Sequence, residues 1–162
     1  MKATLSFALV AVAAVFFTIG RTTAQNSALH QQTLDNLSTA MHGEAFAYAK
    51  YDLYAQHARQ SGNRQLANLF AQAARVERLQ HFAEEARLAG LVGSDADNLK
   101  DAIKGESYEV NTMYANFAKQ AAALGDKTAA DRFEEIRHDE MAHRDAYQAA
   151  LKALGSRQGG GN

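Results

Sequence analysis

The sequence contains no cysteine and no proline. Without cysteine no disulfide can form, and thiolate-bound iron–sulfur, rubredoxin-type and zinc-ribbon sites are excluded. Stability must then come from a packed core or from a bound metal. Without proline the strongest helix breaker is missing, and the abundance of Ala, Leu, Gln, Glu, Lys and Arg favours long helices. An excess of either charge is also missing: 17 Lys and Arg face 18 Asp and Glu, interspersed. No basic patch marks a nucleic-acid partner. The 162 residues suffice for one domain.

The first 24 residues differ from the rest. Lys2 gives a positive start, an apolar run follows from Leu5 to Ile19, and Thr22, Thr23 and Ala24 are small residues suited to signal-peptidase cleavage. The run is about 15 residues long, short of the roughly 20 of a membrane span. Residues 1–24 read as a cleaved signal peptide, with a retained anchor as the alternative. The expected mature chain begins at Gln25, is exported to the periplasm, and has no membrane attachment after cleavage. The tail 155–162 is Gly-rich and is expected to be disordered.

Between these ends, residues 25–154 carry a helical pattern broken by short Gly-containing turns. The first helix is predicted from about Leu29 to Gln60, and the second from Arg64 to Ala89 with Gly90 as its cap. A connection spans Leu91 to Lys104, within which Ser94 to Asp97 can start a short helix. The third helix follows from about Gly105 to Leu124, and the fourth from Lys127 to about Leu154. Short turns make antiparallel neighbours of helices one and two and of helices three and four. The predicted fold is all-α: a ferritin-like antiparallel four-helix bundle with one long crossover between the second and third helices.

The two halves repeat one another. Gly43-Glu44-Ala45-Phe46 matches Gly105-Glu106-Ser107-Tyr108, Tyr51 and Tyr54 match Tyr114 and Phe117, Gly62-Asn63 matches Gly125-Asp126, Phe70 matches Phe133, and Glu77 matches Glu140. The repeat slips once. Glu44 to Tyr51 is seven residues and Glu106 to Tyr114 is eight. One extra residue inside a helix is absorbed as a π-turn, and such turns favour functional sites. A π-turn is therefore predicted between Glu106 and Tyr114.

Helical rise places the acids at one height. Glu44 and Glu77 lie about 27 and 22 Å from the first turn, and Glu106 and Glu140 take matching positions about the second. Glu106 and Glu109 share a face of the third helix at i, i+3, and Glu140 and His143 do so on the fourth. Carboxylates with a Glu-x-x-His pair are the pattern that binds two iron or manganese ions in a helical bundle. A lone glutamate on a helix is ordinarily a solvated face. Five at one depth are not, because each unpaired buried ion costs several kcal/mol against a total stability of about 5–15 kcal/mol. Two divalent cations offset that repulsion. The expected ligands are Glu44, Glu77, His81, Glu106, Glu109, Glu140 and His143. In the repeat Gln80 matches His143 and His81 comes one step later, about 100° further round. Either the second helix is distorted so that His81 reaches the metal, or Gln80 faces the site. Tyr51, Tyr114 and Asp139 are placed to orient ligands by hydrogen bonds. His42, His57 and His138 read as surface residues.

These segments resemble the di-iron domain of the rubrerythrin family over about residues 33–152, without the rubredoxin domain. Gly105-Glu106-Ser107-Tyr108-Glu109, with its second glutamate, and Asp139-Glu140-Met141-Ala142-His143 carry the resemblance most specifically. It implies a ferritin-like di-iron site that reduces hydrogen peroxide with electrons from a separate donor protein. In that family one iron moves between a histidine and a glutamate with redox state. Carried over, the glutamate is Glu109, and the histidine's place holds Gln80. The expected chemistry is reductive cleavage of the O–O bond of peroxide at two irons bridged by Glu77 and Glu140. A ferroxidase or iron-handling protein acting on dioxygen through the same site is one rival reading. A metal-free helical interaction module of the envelope is another. A homodimer, with or without exchanged hairpins, is an expectation from family analogy.

Overall fold

Two turn signals shape the chain into two helical hairpins. The computed structural model describes residues 29–159, so the predicted leader at 1–24 and the last residues of the tail lie outside the described part. Helix α1 is Gln31–Gln60. Helix α2 covers residues 64–89, as the stretches Arg64–Val76 and Phe82–Ala89 joined by a π-turn, Glu77–His81. Helix α3 covers residues 95–124, as Asp95–Tyr108 and Tyr114–Leu124 joined by a π-turn, Glu109–Met113. Helix α4 is Lys127–Gly159. The chain is all-α and four-helical, with no strand among the described residues. Among them no helix is long and apolar enough to cross a membrane.

The hairpin turns repeat as the sequence predicts. Gly62 and Gly125 take φ of +78° and +85°, the left-handed conformation that ends a helix tightly and that other residues adopt at a cost. Asn63 then caps α2 by accepting a hydrogen bond from Leu66 N at 3.0 Å. The seam inside each hairpin is small-residue packing. Ala55, Ala58, Ala67 and Ala74 are buried in the first, and Val110, Ala118, Ala121 and Ala130 in the second. Alanines let the helix axes approach closely. Above the seams sit two matching aromatic clusters, Tyr51–Tyr54–Phe70 and Tyr114–Phe117–Phe133, with centroid separations of 5.2–6.3 Å.

Two expectations are corrected. The third helix starts at Asp95, not near Gly105, so the connection shrinks to residues 90–94. Ser94 is the reason: its Oγ accepts from Asp97 N at 3.2 Å, and Asp95 and Asp97 suit the positive end of the helix dipole. The helix it nucleates has no stop signal before Gly125. Second, α4 runs to Gly159 rather than ending at Leu154. One glycine inside a helix costs only about 1 kcal/mol, and Ser156 Oγ donates back to Lys152 O at 3.0 Å. Among the described residues no helix of the first hairpin contacts a helix of the second. No large side chain among the described residues is fully buried.

The π-turn in α3 falls where the one-residue slip of the repeat puts it. A π-turn shifts the hydrogen-bond register and leaves a carbonyl to be satisfied. Arg137 of α4 does this, donating from Nε to Val110 O at 2.8 Å. An Arg137→Leu variant is expected to lose about 1–2 kcal/mol, the worth of a charge-assisted hydrogen bond at a partly exposed position. Urea unfolding reads it as a lower midpoint. An unchanged midpoint would show that the turn holds without this bond.

Candidate metal centre

Each hairpin assembles two glutamates and one histidine. Glu44 of α1 meets Glu77 and His81 of α2, and Glu106 of α3 meets Glu140 and His143 of α4. In each trio one ligand atom per residue lies within 4.8 Å of the others. His81 Nδ1 is 2.6 Å from Glu77 Oε2 and 3.8 Å from Glu44 Oε2. His143 Nδ1 is 2.7 Å from Glu140 Oε2. The glutamates are half-buried and the histidines exposed.

The π-turn at Glu77–His81 decides between Gln80 and His81. One extra residue per turn rotates the following side chains back, so His81 at i+4 occupies the place that His143 takes at i+3. Gln80 is exposed and stands outside the trio. Glu109 is half-buried near Glu140 but belongs to neither trio. Tyr51 and Tyr114 sit in the aromatic clusters, and neither hydroxyl bonds a ligand carboxylate. Asp139 is exposed and bonds no imidazole; one residue before Glu140, it points about 100° away round the helix. His42, His57 and His138 are exposed.

The charges record what is missing from a protein-only site. Glu44 titrates above the usual carboxylate range because it shares a hydrogen bond with Glu77, because it is partly desolvated, and because Glu77 is negative. Glu106 is raised by burial first, then by its hydrogen bond with Glu140 and by the charges of Glu140 and Glu109. Burial and Glu140 raise Glu109. The Tyr114 phenol is pushed up by burial and by Glu109, Glu140 and Glu106. His143 is raised by its hydrogen bond to Glu140, which outweighs desolvation. Two buried carboxylate oxygens, Glu106 Oε2 and Glu85 Oε2, have no partner at all.

Carboxylates with imidazole are a donor set that suits iron and manganese. Half-buried, mutually repelling carboxylates, one of them with an orphaned oxygen, fit a bound cation. Glu85 was not singled out from sequence, although the signal was there: it lies four residues after His81, one turn further on the same face. Its charge also bears on Glu44.

The rubrerythrin family model matches residues 35–151. The rubrerythrin of Porphyromonas gingivalis is 32% identical over 143 residues, covering 81% of this chain and 72% of its own length. The nigerythrin of Nitratidesulfovibrio vulgaris is 33% identical over 135 residues, covering 75% of this chain and 67% of its own. Among solved structures, nigerythrin in a mixed-valence state aligns over 90% of this chain and 81% of its own at 31% identity, with a TM-score of 0.39. With its family match extending over more than two thirds of its length, and with paired glutamates and a histidine at equivalent points of both hairpins, the chain belongs to the rubrerythrin family of ferritin-like helical proteins.

Proposed function

We propose that this protein reduces hydrogen peroxide at a di-iron site, with electrons from a separate donor. Family membership supports an iron-dependent oxidoreductase role. The observation that carries the reading here is the pair of Glu–Glu–His trios, with an unsatisfied carboxylate oxygen at Glu106 in the second and another at Glu85 outside the first. Glu44, Glu77 and His81 would hold one part of the centre, and Glu106, Glu140 and His143 the other, with Glu109 beside them. When bound, two irons supply the redox electrons and the Lewis acidity. Manganese fits the same donors.

The side chains have their own tasks. Glu77 and Glu140, each against an imidazole, set the direction of His81 and His143. Tyr114 keeps its phenol proton across the working pH range and offers an O–H donor beside the glutamates. The net reaction joins peroxide, two protons and two electrons to give two waters. The given sequence holds no cysteine for a rubredoxin site, and in this reading a separate donor delivers the electrons. The leader at 1–24 supports export, which sets this donor outside the cytosol.

Sustained peroxide consumption by the iron-loaded protein with a reduced dye as donor, two electrons per peroxide, is the expected result. A single turnover followed by iron release or mineral would favour the ferroxidase reading instead. A protein that binds neither iron nor manganese and is stabilised by neither would be the helical module.

A further inference from the structure

We propose that Glu85 is a further metal ligand of the first half of the centre, standing to Glu44, Glu77 and His81 as Glu109 stands to the second trio. This rests on the reading of the two trios as the metal centre. The repeat does not announce it, because the residue that matches Glu85 in the second hairpin is Tyr147.

The π-turn that brings His81 to the site also brings Glu85. In an unbroken α-helix a residue eight positions after Glu77 would lie about 80° from it round the axis. The turn Glu77–His81 absorbs one residue. Glu85 then takes the angular place of a seventh residue, within about 20° of Glu77 and on the face that meets Glu44. Helix α4 carries no such turn, and its seventh residue after Glu140 is Tyr147. Tyr147 is half-buried and lines a groove with Leu99 and Ala102 of α3. One hairpin thus places a phenol where the other places a carboxylate.

That carboxylate is poorly served by protein groups alone. Glu85 is half-buried, and its Oε2 is buried without a hydrogen-bond partner, the same condition as Glu106 Oε2 in the second trio. A buried, unpaired carboxylate is costly, and a cation is the group that offsets it. The two halves also agree in their electrostatics. Glu44 is raised first by its hydrogen bond with Glu77, and the charge of Glu85 adds to this. Glu106 is raised first by burial, and the charge of Glu109 adds to that. Neither Glu85 nor Glu109 is a member of its trio, and both are half-buried beside it. Manganese and iron accept more than the three donors that a trio offers, so each half has room for one more. The two come from different helices. Glu109 stands on α3, where the matching residue of α1 is Ala47, and Glu85 stands on α2.

Manganese(II) titration of the metal-free full chain tests this, with the free ion read by its electron paramagnetic resonance signal. Wild-type protein should bind two ions per chain. Glu85→Gln keeps the size and removes the charge. It should weaken one ion by at least about tenfold, since loss of a ligand's supporting group alone does as much, and should leave the other ion unchanged. Glu109→Gln should weaken the other ion, and the double variant both. Glu84→Gln removes the same charge from an exposed side chain one residue earlier, about 100° round the helix, and should weaken neither. The metal-free Glu85→Gln protein should unfold at the same urea concentration or a higher one, which separates lost binding from lost folding. A Glu85→Gln protein that holds both ions as tightly as the wild type, or a Glu84→Gln protein that is weakened equally, would overturn the proposal. Wild-type protein that binds neither manganese nor iron would end the metal reading itself, and that result is read before any variant is compared.

Discussion

Replacing Glu77 and Glu140 together by alanine should leave the protein without iron. These two carboxylates each contact a histidine, at 2.6 and 2.7 Å, and each pairs with a glutamate from the neighbouring helix. Removing them takes away one ligand from each trio and the group that orients each imidazole. Loss of an orienting partner alone weakens metal binding 10–100-fold, so loss of ligand and partner in both trios should weaken it by well over about 100-fold. Iron measured by atomic emission on proteins prepared side by side is the readout. The same substitutions should not weaken the metal-free protein. They relieve repulsion between half-buried carboxylates, so its urea midpoint should rise or hold. Sites tuned for function at the expense of stability behave in this way. Wild-type iron in the variant would place the metal elsewhere. A sharp fall in metal-free stability would mean that the glutamates serve packing rather than binding.

The metal-free protein should also grow less stable as pH rises, whereas the loaded protein should grow more stable. Glu44, Glu106 and Glu109 all titrate above the ordinary carboxylate value of 4.5 in the folded state. Between that value and the raised one, the folded protein holds more protons than the unfolded chain. Stability then falls as pH climbs through this window. His143 works in the same sense. Its folded value lies above 6.5, so its contribution is complete below 6.5 and is lost as pH passes the raised value. Metal reverses the dependence, because the ligands must be deprotonated to bind and protons compete with the cation. Urea midpoints from pH 4.5 to 8, with and without Fe(II) under argon, should give two curves of opposite slope. Parallel curves would show that these carboxylates do not hold the ion.

Much of this was legible in the sequence because helical periodicity is a local property. Glu44, Glu77, Glu106 and Glu140 could be set at one height by counting residues from Gly62 and Gly125, since every residue adds the same rise. The π-turn in α3 was legible for a related reason: the second half provides a ruler for the first, and a ruler shows one added residue. The same ruler left His81 undecided, because an extra residue in α2 is absorbed only if the helix deforms. Whether it deforms depends on what His81 gains by reaching Glu77.

Sequence by itself determined the class of structure, the two hairpins, the chemistry of the ligands and the absence of any thiolate site. Those follow from propensity, turn residues and side-chain type, which each residue carries wherever the chain goes. Only the tertiary structure decided that α3 begins at Asp95, that His81 rather than Gln80 joins Glu77, and that the two trios stand apart. Each of these is a contest between a local preference and a distant contact, and a distant contact has no value until the chain has folded far enough to make it.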